Sequence, residues 1–261
     1  MTKLIIVTLL VGSHAFSQEN SVTTLETKLE PVKTSFKIKS ELRSSLNSFS
    51  DKAAEANFRL RLDPNFTYGD IVFGLRQDIK DRFSAGNDNY VMENTRTFVG
   101  KNYNTGDWQI QPRIEVWLPT NILDRDKLSY QGSPGAAFKV KRRWLNVTSN
   151  YELNGKKMVY QNTRNNFADW VMFNELKNEI RFNKFVAAHL NAKFDDSWDQ
   201  SGLHTQKYSL EQSLGLHVAE NLDIEVGHAI EKTTLAKNKS DSFVGFDKDF
   251  SQMYTAVSLV Y

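Results

Sequence analysis

The stretch Ser251–Tyr261, SQMYTAVSLVY, alternates along its whole length. Met253, Thr255, Val257, Leu259 and Tyr261 fall on one face of a strand, and Gln252, Tyr254, Ala256, Ser258 and Val260 on the other. Chain ends usually fray into polar residues. Here the last residues read as one full strand ending on an aromatic ring. The expectation is a sheet whose final strand has a partner to pair with.

The same alternation runs upstream. Apolar residues repeat at every second position as Phe36, Ile38 and Leu42 in 35–43; Phe58, Leu60 and Leu62 in 55–63; and Ile71, Phe73 and Leu75 in 70–78. In 107–118 they are Trp108, Ile110, Ile114, Val116 and Leu118, with Pro112 in phase. In 168–182 the row is Ala168, Trp170, Met172, Leu176, Ile180 and Phe182, interrupted by Asn174 and Asn178. Segments 185–195, 207–218 and 222–231 repeat the pattern, while 91–102, 136–150 and 156–163 are less regular. A phase change at Arg142–Arg143 suggests a bulge there. With 250–261 this makes about twelve strands. Many run to ten residues or more, against a usual five or six, and about 9–11 tilted residues cross a membrane.

The bulk figures fit one large β domain. The chain has 261 residues, a net charge of +2 and no cysteine. The charge balance gives no reason to expect nucleic acid as a partner, and a disulfide framework or thiolate metal site is excluded. The start, MTKLIIVTLLVGSHAFSQEN, has Lys3, an apolar run from Leu4 to Val11 and small residues at Ser13, Ala15 and Ser17. It reads as a signal peptide over 1–17. Residues 18–32 lack alternation and read as an N-terminal extension, and 33–261 as the β domain.

Connections alternate in length. The short ones are expected at 63–69, 102–106, 152–156, 183–184 and 219–221. The long ones are expected at 44–54, 79–90, 119–135, 164–167, 196–206 and 232–249. Trp108, Tyr151, Phe182 and Tyr261 fall near the short-turn ends of their strands, and Trp170 and Tyr208 near the long-loop ends. Amphipathic rings favour membrane interfaces.

Together these features resemble a Gram-negative outer-membrane β-barrel: a transmembrane up-and-down antiparallel barrel with short periplasmic turns and long external loops. Size and strand count are similar to the small twelve-stranded porins for acidic oligosaccharides, although no motif ties the chain to them. The resemblance implies residence in the bacterial outer membrane, among lipid and lipopolysaccharide. It also implies that the strand ending at Tyr261 closes the barrel and is read by the barrel-assembly machinery. Homo-oligomers are a habit of the class, and Ala188 and Ala192 put small residues on an outer face where a neighbour could approach.

The opposite, inward faces carry charge. Early strands present Lys37, Lys39, Arg43, Arg59, Arg61, Arg76 and Arg113, with Lys139 and Lys141 on a less regular segment. Later strands present Glu175, Glu179, Glu211, Asp223 and Glu225, with Asp195 and Glu231. This composes a basic lumen wall facing an acidic one. Either water separates them and the charges set selectivity, or they meet as ion pairs and fill a narrow lumen. The first reading is a porin-like channel for small hydrophilic, charged solutes. The second is a non-conducting structural or oligomer-forming barrel.

An outer-membrane hydrolase is a weaker third. Barrel phospholipases carry His-x-Ser, and none of His14, His189, His204, His217 and His228 has serine two residues on. Omptin-like proteases carry Asp-x-His, which is absent too. The acidic pairs Asp124/Asp126 and Asp247/Asp249 read as solvated loop or cation bridges to lipopolysaccharide, and His228 as an interfacial contact. No catalytic residue, cofactor or metal is expected, and the chain is not expected to be an enzyme.

Overall fold

The computed structural model describes residues 32–45, 56–84, 87–121, 129–161, 167–235 and 251–261. Signal peptide, N-terminal extension up to residue 31 and both acidic pairs lie outside the described residues. The strands are β1 (Lys33–Ser45), β2 (Ala56–Tyr68), β3 (Ile71–Ser84), β4 (Asn87–Met92), β5 (Thr95–Lys101), β6 (Tyr103–Thr105), β7 (Trp108–Leu118), β8 (Tyr130–Trp144), β9 (Val147–Lys157), β10 (Val159–Tyr160), β11 (Ala168–Arg181), β12 (Val186–Asp199), β13 (His204–Ala219), β14 (Leu222–Leu235) and β15 (Ser251–Val260). The short segments β4, β6 and β10 extend their neighbours, so the sheet has twelve staves.

Every stave pairs antiparallel with its neighbours in sequence, and β15 pairs with β1. That last ladder runs from Lys37↔Val260 to Ser45↔Gln252. Phe36 and Tyr261 then exchange two backbone hydrogen bonds of 2.8 Å. The final strand thus closes the sheet through its last residue. A closed sheet has no edge, so backbone N–H and C=O groups along the wall find partners without water.

Pleating sorts the side chains. Outward positions carry exposed apolar groups such as Leu42, Phe73, Ile114, Leu176, Leu214 and Val226. The interior is largely polar: Arg113, Glu115, Asn154, Ser213 and Ser258 are buried beside small residues such as Ala137, Ala187, Ala229 and Ala256. A soluble β domain buries its apolar face; this one turns it outward, as hydrocarbon demands. The outward asparagines are satisfied across the ladder. Tyr151 Oη donates to Asn174 Oδ1 at 2.9 Å, and Ser149 Oγ to Asn178 Oδ1 at 2.7 Å.

Several boundaries differ from the sequence reading. The loop expected at 79–90 is largely strand: β3 runs to Ser84 and β4 pairs with it. A bulge at Glu93–Asn94 joins β4 to β5, where the register slips between Ile79↔Met92 and Arg76↔Arg96. Gln77 fills that site, donating to the carbonyls of Glu93 (2.7 Å) and Asp78 (3.0 Å). The short connection expected at 63–69 lies mostly within β2. Its pairing with β3 lapses only at Asp63–Pro64, where proline has no N–H to offer. The long connection expected at 196–206 shrinks to residues 200–203, held by Asp199 Oδ1 accepting from the amides of Ser201 (2.9 Å) and Leu203 (2.8 Å).

The seventh stave is the largest correction. Asn154–Gly155 looks like a turn but lies inside β9, and β8 begins at Tyr130. The hairpin turn is Leu145–Asn146, bracketed by the pair Trp144↔Val147. There is no bulge at Arg142–Arg143: the register there is regular, and the phase change marks the approaching turn. The equivalent two-residue turns Gly69–Asp70 and Gly106–Asp107 begin with glycine at φ +56° and +55°. Leu145 holds the same place at φ +51°. A branched side chain conceals a turn that glycine would advertise.

Leu145 is exposed, so nothing packs it into that left-handed conformation, which costs a non-glycine residue about 1–2 kcal/mol. Leu145→Gly is expected to raise stability by about 1 kcal/mol, after the extra freedom of glycine in the unfolded chain is offset. Urea titration of the folded protein in lipid vesicles measures it, and an unchanged or lowered midpoint contradicts the strain.

Candidate functional site: the charged lumen

The inward side chains enclose a cavity of about 1090 Å³. Twelve Lys and Arg and eleven Asp and Glu line it, so its charge is nearly balanced. The charges are arranged in three groups, each set by what lies between its members.

The first group straddles β8. Glu115 on β7 is fully buried and ion-paired with Arg96 and, at 2.5 Å, with Arg113 Nε. Glu152 on β9 takes Arg96 Nη2 at 2.7 Å and also pairs with Arg113, while Asn154 donates to Glu115. These residues reach over an intervening stave. Register places Gly135 between Glu115 and Lys156, and Ala137 between Arg113 and Asn154. Small residues on β8 leave the gap through which the charges meet.

The second group crosses the seam in the same way. Lys39 Nζ lies 3.0 Å from Glu225, and Arg43 Nη2 lies 2.6 Å from Glu211. Arg43 also pairs with Glu41 at 2.5 Å. Between β1 and β14, β15 offers Ala256 (beside Glu41 and Glu225) and Ser258 (beside Lys39 and Asp223). Tyr254 lies over Gly227, where a Cβ would come within 2.6 Å of Tyr254 Cζ. The Arg43 guanidinium sits 5.2 Å from that ring.

In the third group Arg59 and Arg61 share Asp78, each at 2.8 Å, and Arg76 Nε meets Asp63 at 2.7 Å. On the remaining wall Lys177 pairs with Glu175 (2.7 Å), Arg181 with Glu179, and Asp223 with His217 (2.5 Å).

The basic and acidic side chains read from the sequence do project inward, but they do not form two walls held apart by water. Acidic residues sit among the basic ones, and at the seam the two sets touch. Asp63 had been read as the start of a turn, Glu152 as part of one, and Arg96 lay in an irregular segment. Glu41 and Glu115 share the inward parity of Arg43 and Arg113 on their strands. The ion-paired alternative was open from the sequence, but the longest-reaching pairings were not legible, because Lys39–Glu225, Arg43–Glu211 and Arg96–Glu152 join staves two or three apart, which no single-strand pattern displays.

The interfacial aromatics divide. Trp108, Phe182 and Tyr261 are exposed at the turn end, with the Arg142 guanidinium 4.7 Å from the Trp108 ring, and Trp170 is exposed near the loop end. Trp144, Phe185 and Phe194 join them. Tyr151 lies mid-strand, a consequence of the shifted turn. Tyr208 keeps the outward parity of its strand but is only 8% exposed, flanked across the ladder by Phe194 and Lys232. It is not an exposed girdle residue.

No family model matches the chain, and no curated protein matches it. Solved structures do. An outer membrane channel from Pseudomonas putida F1, of the COG4313 group, aligns over 92% of this chain and 100% of its own, with a TM-score of 0.60 and 7% identity. The NanC porin aligns over 86% of this chain and 98% of its own, with a TM-score of 0.50 and 8% identity. The KdgM porin covers 85% and 98%, with a TM-score of 0.47 and 9% identity. The fold is that of the outer-membrane porins. The apolar exterior suits a barrel set in a lipid bilayer.

The first charge group sets a stability expectation. Removing one partner of a buried pair costs about 3–5 kcal/mol, because the other charge stays buried. Glu115→Ala leaves Arg96 and Arg113 to share Glu152 alone and is expected to cost about 3 kcal/mol. Arg76→Gln, whose side chain is 35% exposed, is expected to cost less than about 1 kcal/mol. Urea unfolding of both variants in vesicles compares them; equal losses contradict the assignment of Glu115 as a buried keystone.

Proposed function

We propose that this barrel is a passive, weakly anion-preferring channel for small hydrophilic, charged solutes. The carrying observation is the distribution of unpaired charge around the cavity. Each carboxylate lining it has a cationic or histidine partner within ion-pair distance. Lys37, Lys139 and Lys141 have no ion pair among the described residues. Lys37 lines the cavity. Lys139 and Lys141 share the inward face of β8, opposite Glu152 and Asn150. Pairing along the wall keeps the arginine and carboxylate heads off the pore axis, and the surplus lysines leave a positive field.

A passive conduit is favoured over a hydrolase. His204 Nε2 lies 2.9 Å from Asp196 and His217 Nδ1 2.5 Å from Asp223. No serine or threonine hydroxyl is hydrogen-bonded to a histidine among the described residues, whereas a hydrolytic base needs its nucleophile within reach. Contact of the strand ending at Tyr261 with the barrel-assembly machinery belongs to the same reading.

Self-association is a second reading, compatible with the first. An outward groove of about 620 Å³ opens over Ala188, rimmed by Ile180, Leu214 and Val226, with Gln212 and His228 in it. Polar side chains on a lipid-facing surface favour a protein neighbour over hydrocarbon. Native mass spectrometry of the detergent-extracted protein reads the oligomer. Ala188→Trp is expected to reduce it to monomer, and a wild-type monomer removes this reading.

For the channel, a planar bilayer with a tenfold KCl gradient gives the test. Discrete conductance steps are expected, with a reversal potential of the anion-selective sign. Lys139→Glu with Lys141→Glu is expected to move it toward cation selectivity. A silent bilayer containing folded, inserted protein would overturn the channel and favour an ion-paired structural barrel.

A further inference from the structure

β8 departs from the charge pattern of the other long staves. Most of them set an acid beside a cation on the inward face, as Glu41 with Arg43, Glu175 with Lys177, Glu179 with Arg181 and Asp195 with Lys193. β8, YQGSPGAAFKVKRRW, contains no acidic residue at all. From Ala137 towards the turn at Leu145–Asn146 its consecutive inward positions are Lys139, Lys141 and Arg143. None of the three makes an ion pair or a side-chain hydrogen bond among the described residues. Lys139 and Lys141 are half-buried and Arg143 is exposed, so a solute can reach them.

The flanking staves do not supply the missing acid. On β7, Gln111 stands opposite Lys139 and Gln109 opposite Lys141. On β9, Glu152 stands opposite Lys139, Asn150 opposite Lys141 and Thr148 opposite Arg143. Glu152 is the one carboxylate among these five, and Arg96 and Arg113 already hold it. Asp107, whose carbonyl accepts from the Arg143 amide, makes no ion pair with that arginine. The neutral flank is rich in donors. Gln111 Nε2 donates to Asn102 Oδ1 at 2.8 Å, whereas the Gln109 and Asn150 amides have no side-chain hydrogen bond among the described residues. Asn150 lines the cavity. Consecutive inward positions lie about 7 Å apart along a strand, and two lysine ammoniums on flexible stems can close that gap onto one small anion.

We infer that this face of β8 is a recognition site for phosphate monoesters of small polyhydroxy compounds, an inference that deepens the channel reading and rests on it. A phosphate monoester carries about −1.5 to −2 charges on a single group at pH 7. Lys139 and Lys141 both donate to its oxygens, and Arg143 extends the positive row to the turn end. The Gln109 and Asn150 amides take the hydroxyls. A monocarboxylate brings one charge to two ammoniums. A dicarboxylate divides its charge between two groups, so the lysines do not converge on either. A neutral polyol brings hydroxyls alone.

The test uses the folded protein in a planar bilayer, in KCl, with glycerol phosphate, glycerate, succinate and glycerol added in turn. Glycerol phosphate is expected to interrupt the chloride current at concentrations at least about fivefold below the other three, and Lys139→Gln and Lys141→Gln each to weaken the block by about fivefold or more. Lys37→Gln removes the same charge from a stave five places away around the barrel, and is expected to weaken the block by less than about twofold. Heat-dependent gel mobility confirms that each variant is folded. Chloride conduction with glycerol phosphate no more effective than glycerate or succinate, or with block weakened as much by Lys37→Gln as by Lys141→Gln, overturns the site and leaves the channel standing. If no chloride current is seen, the channel reading fails, and glycerol phosphate binding to the folded protein in detergent is followed by titration calorimetry. Saturable binding that is lost in Lys139→Gln with Lys141→Gln then upholds the site by itself, and its absence overturns the site too.

Discussion

A backbone placed in hydrocarbon has to find its hydrogen bonds within the protein, and the seam between β1 and β15 is where this chain meets that demand. Without the ladder from Lys37↔Val260 to Ser45↔Gln252, two staves would present open edges to lipid. The mutual bonds of Phe36 and Tyr261 carry the ladder to the last residue. Closure also decides where side chains go. Once the sheet is a barrel, alternation means lipid or lumen, and each stave has to serve both.

Closure brings a second constraint. Long charged side chains on every stave, all pointing inward, would crowd and repel one another. The structure resolves this by interleaving staves with small inward residues. Gly135 and Ala137 on β8 and Ala256 and Ser258 on β15 act as floors over which charges from the flanking staves join. The pairs therefore lie against the wall. A buried pair is a poor source of net stability against an apolar alternative. Here the alternative would be an apolar lumen, and what the paired arrangement yields is a polar interior of matched charges.

Much of the fold was legible in the sequence for a physical reason: a membrane strand has to keep its alternation over its whole length, and long periodic runs are the strongest local signal. Strand number and parity followed from it, and the closing role of Ser251–Tyr261 from the resemblance to outer-membrane barrels. The errors fell where the local signal was ambiguous. Leu145 occupies a left-handed turn position without being glycine, and Asn154–Gly155 looks like a turn but forms two rungs of β9. Asp63 lies in a strand that continues past Pro64. The inward placement of Lys37, Arg59 and Glu225 needed only parity. That Lys39 meets Glu225, or Arg96 meets Glu152, needed the order of staves around the barrel and the size of the residue between them.

Similarity of fold at identities of 7–8% says that the scaffold is shared and leaves the lumen to be read from its own residues. In the channel reading, the surplus lysines act at a distance and favour a sign of charge, with little regard for the shape of the solute. A field from a few unpaired lysines is felt only when the remaining charges are matched. The floors of small residues thus connect the fold to selectivity: they allow the pairing that makes the unpaired groups count.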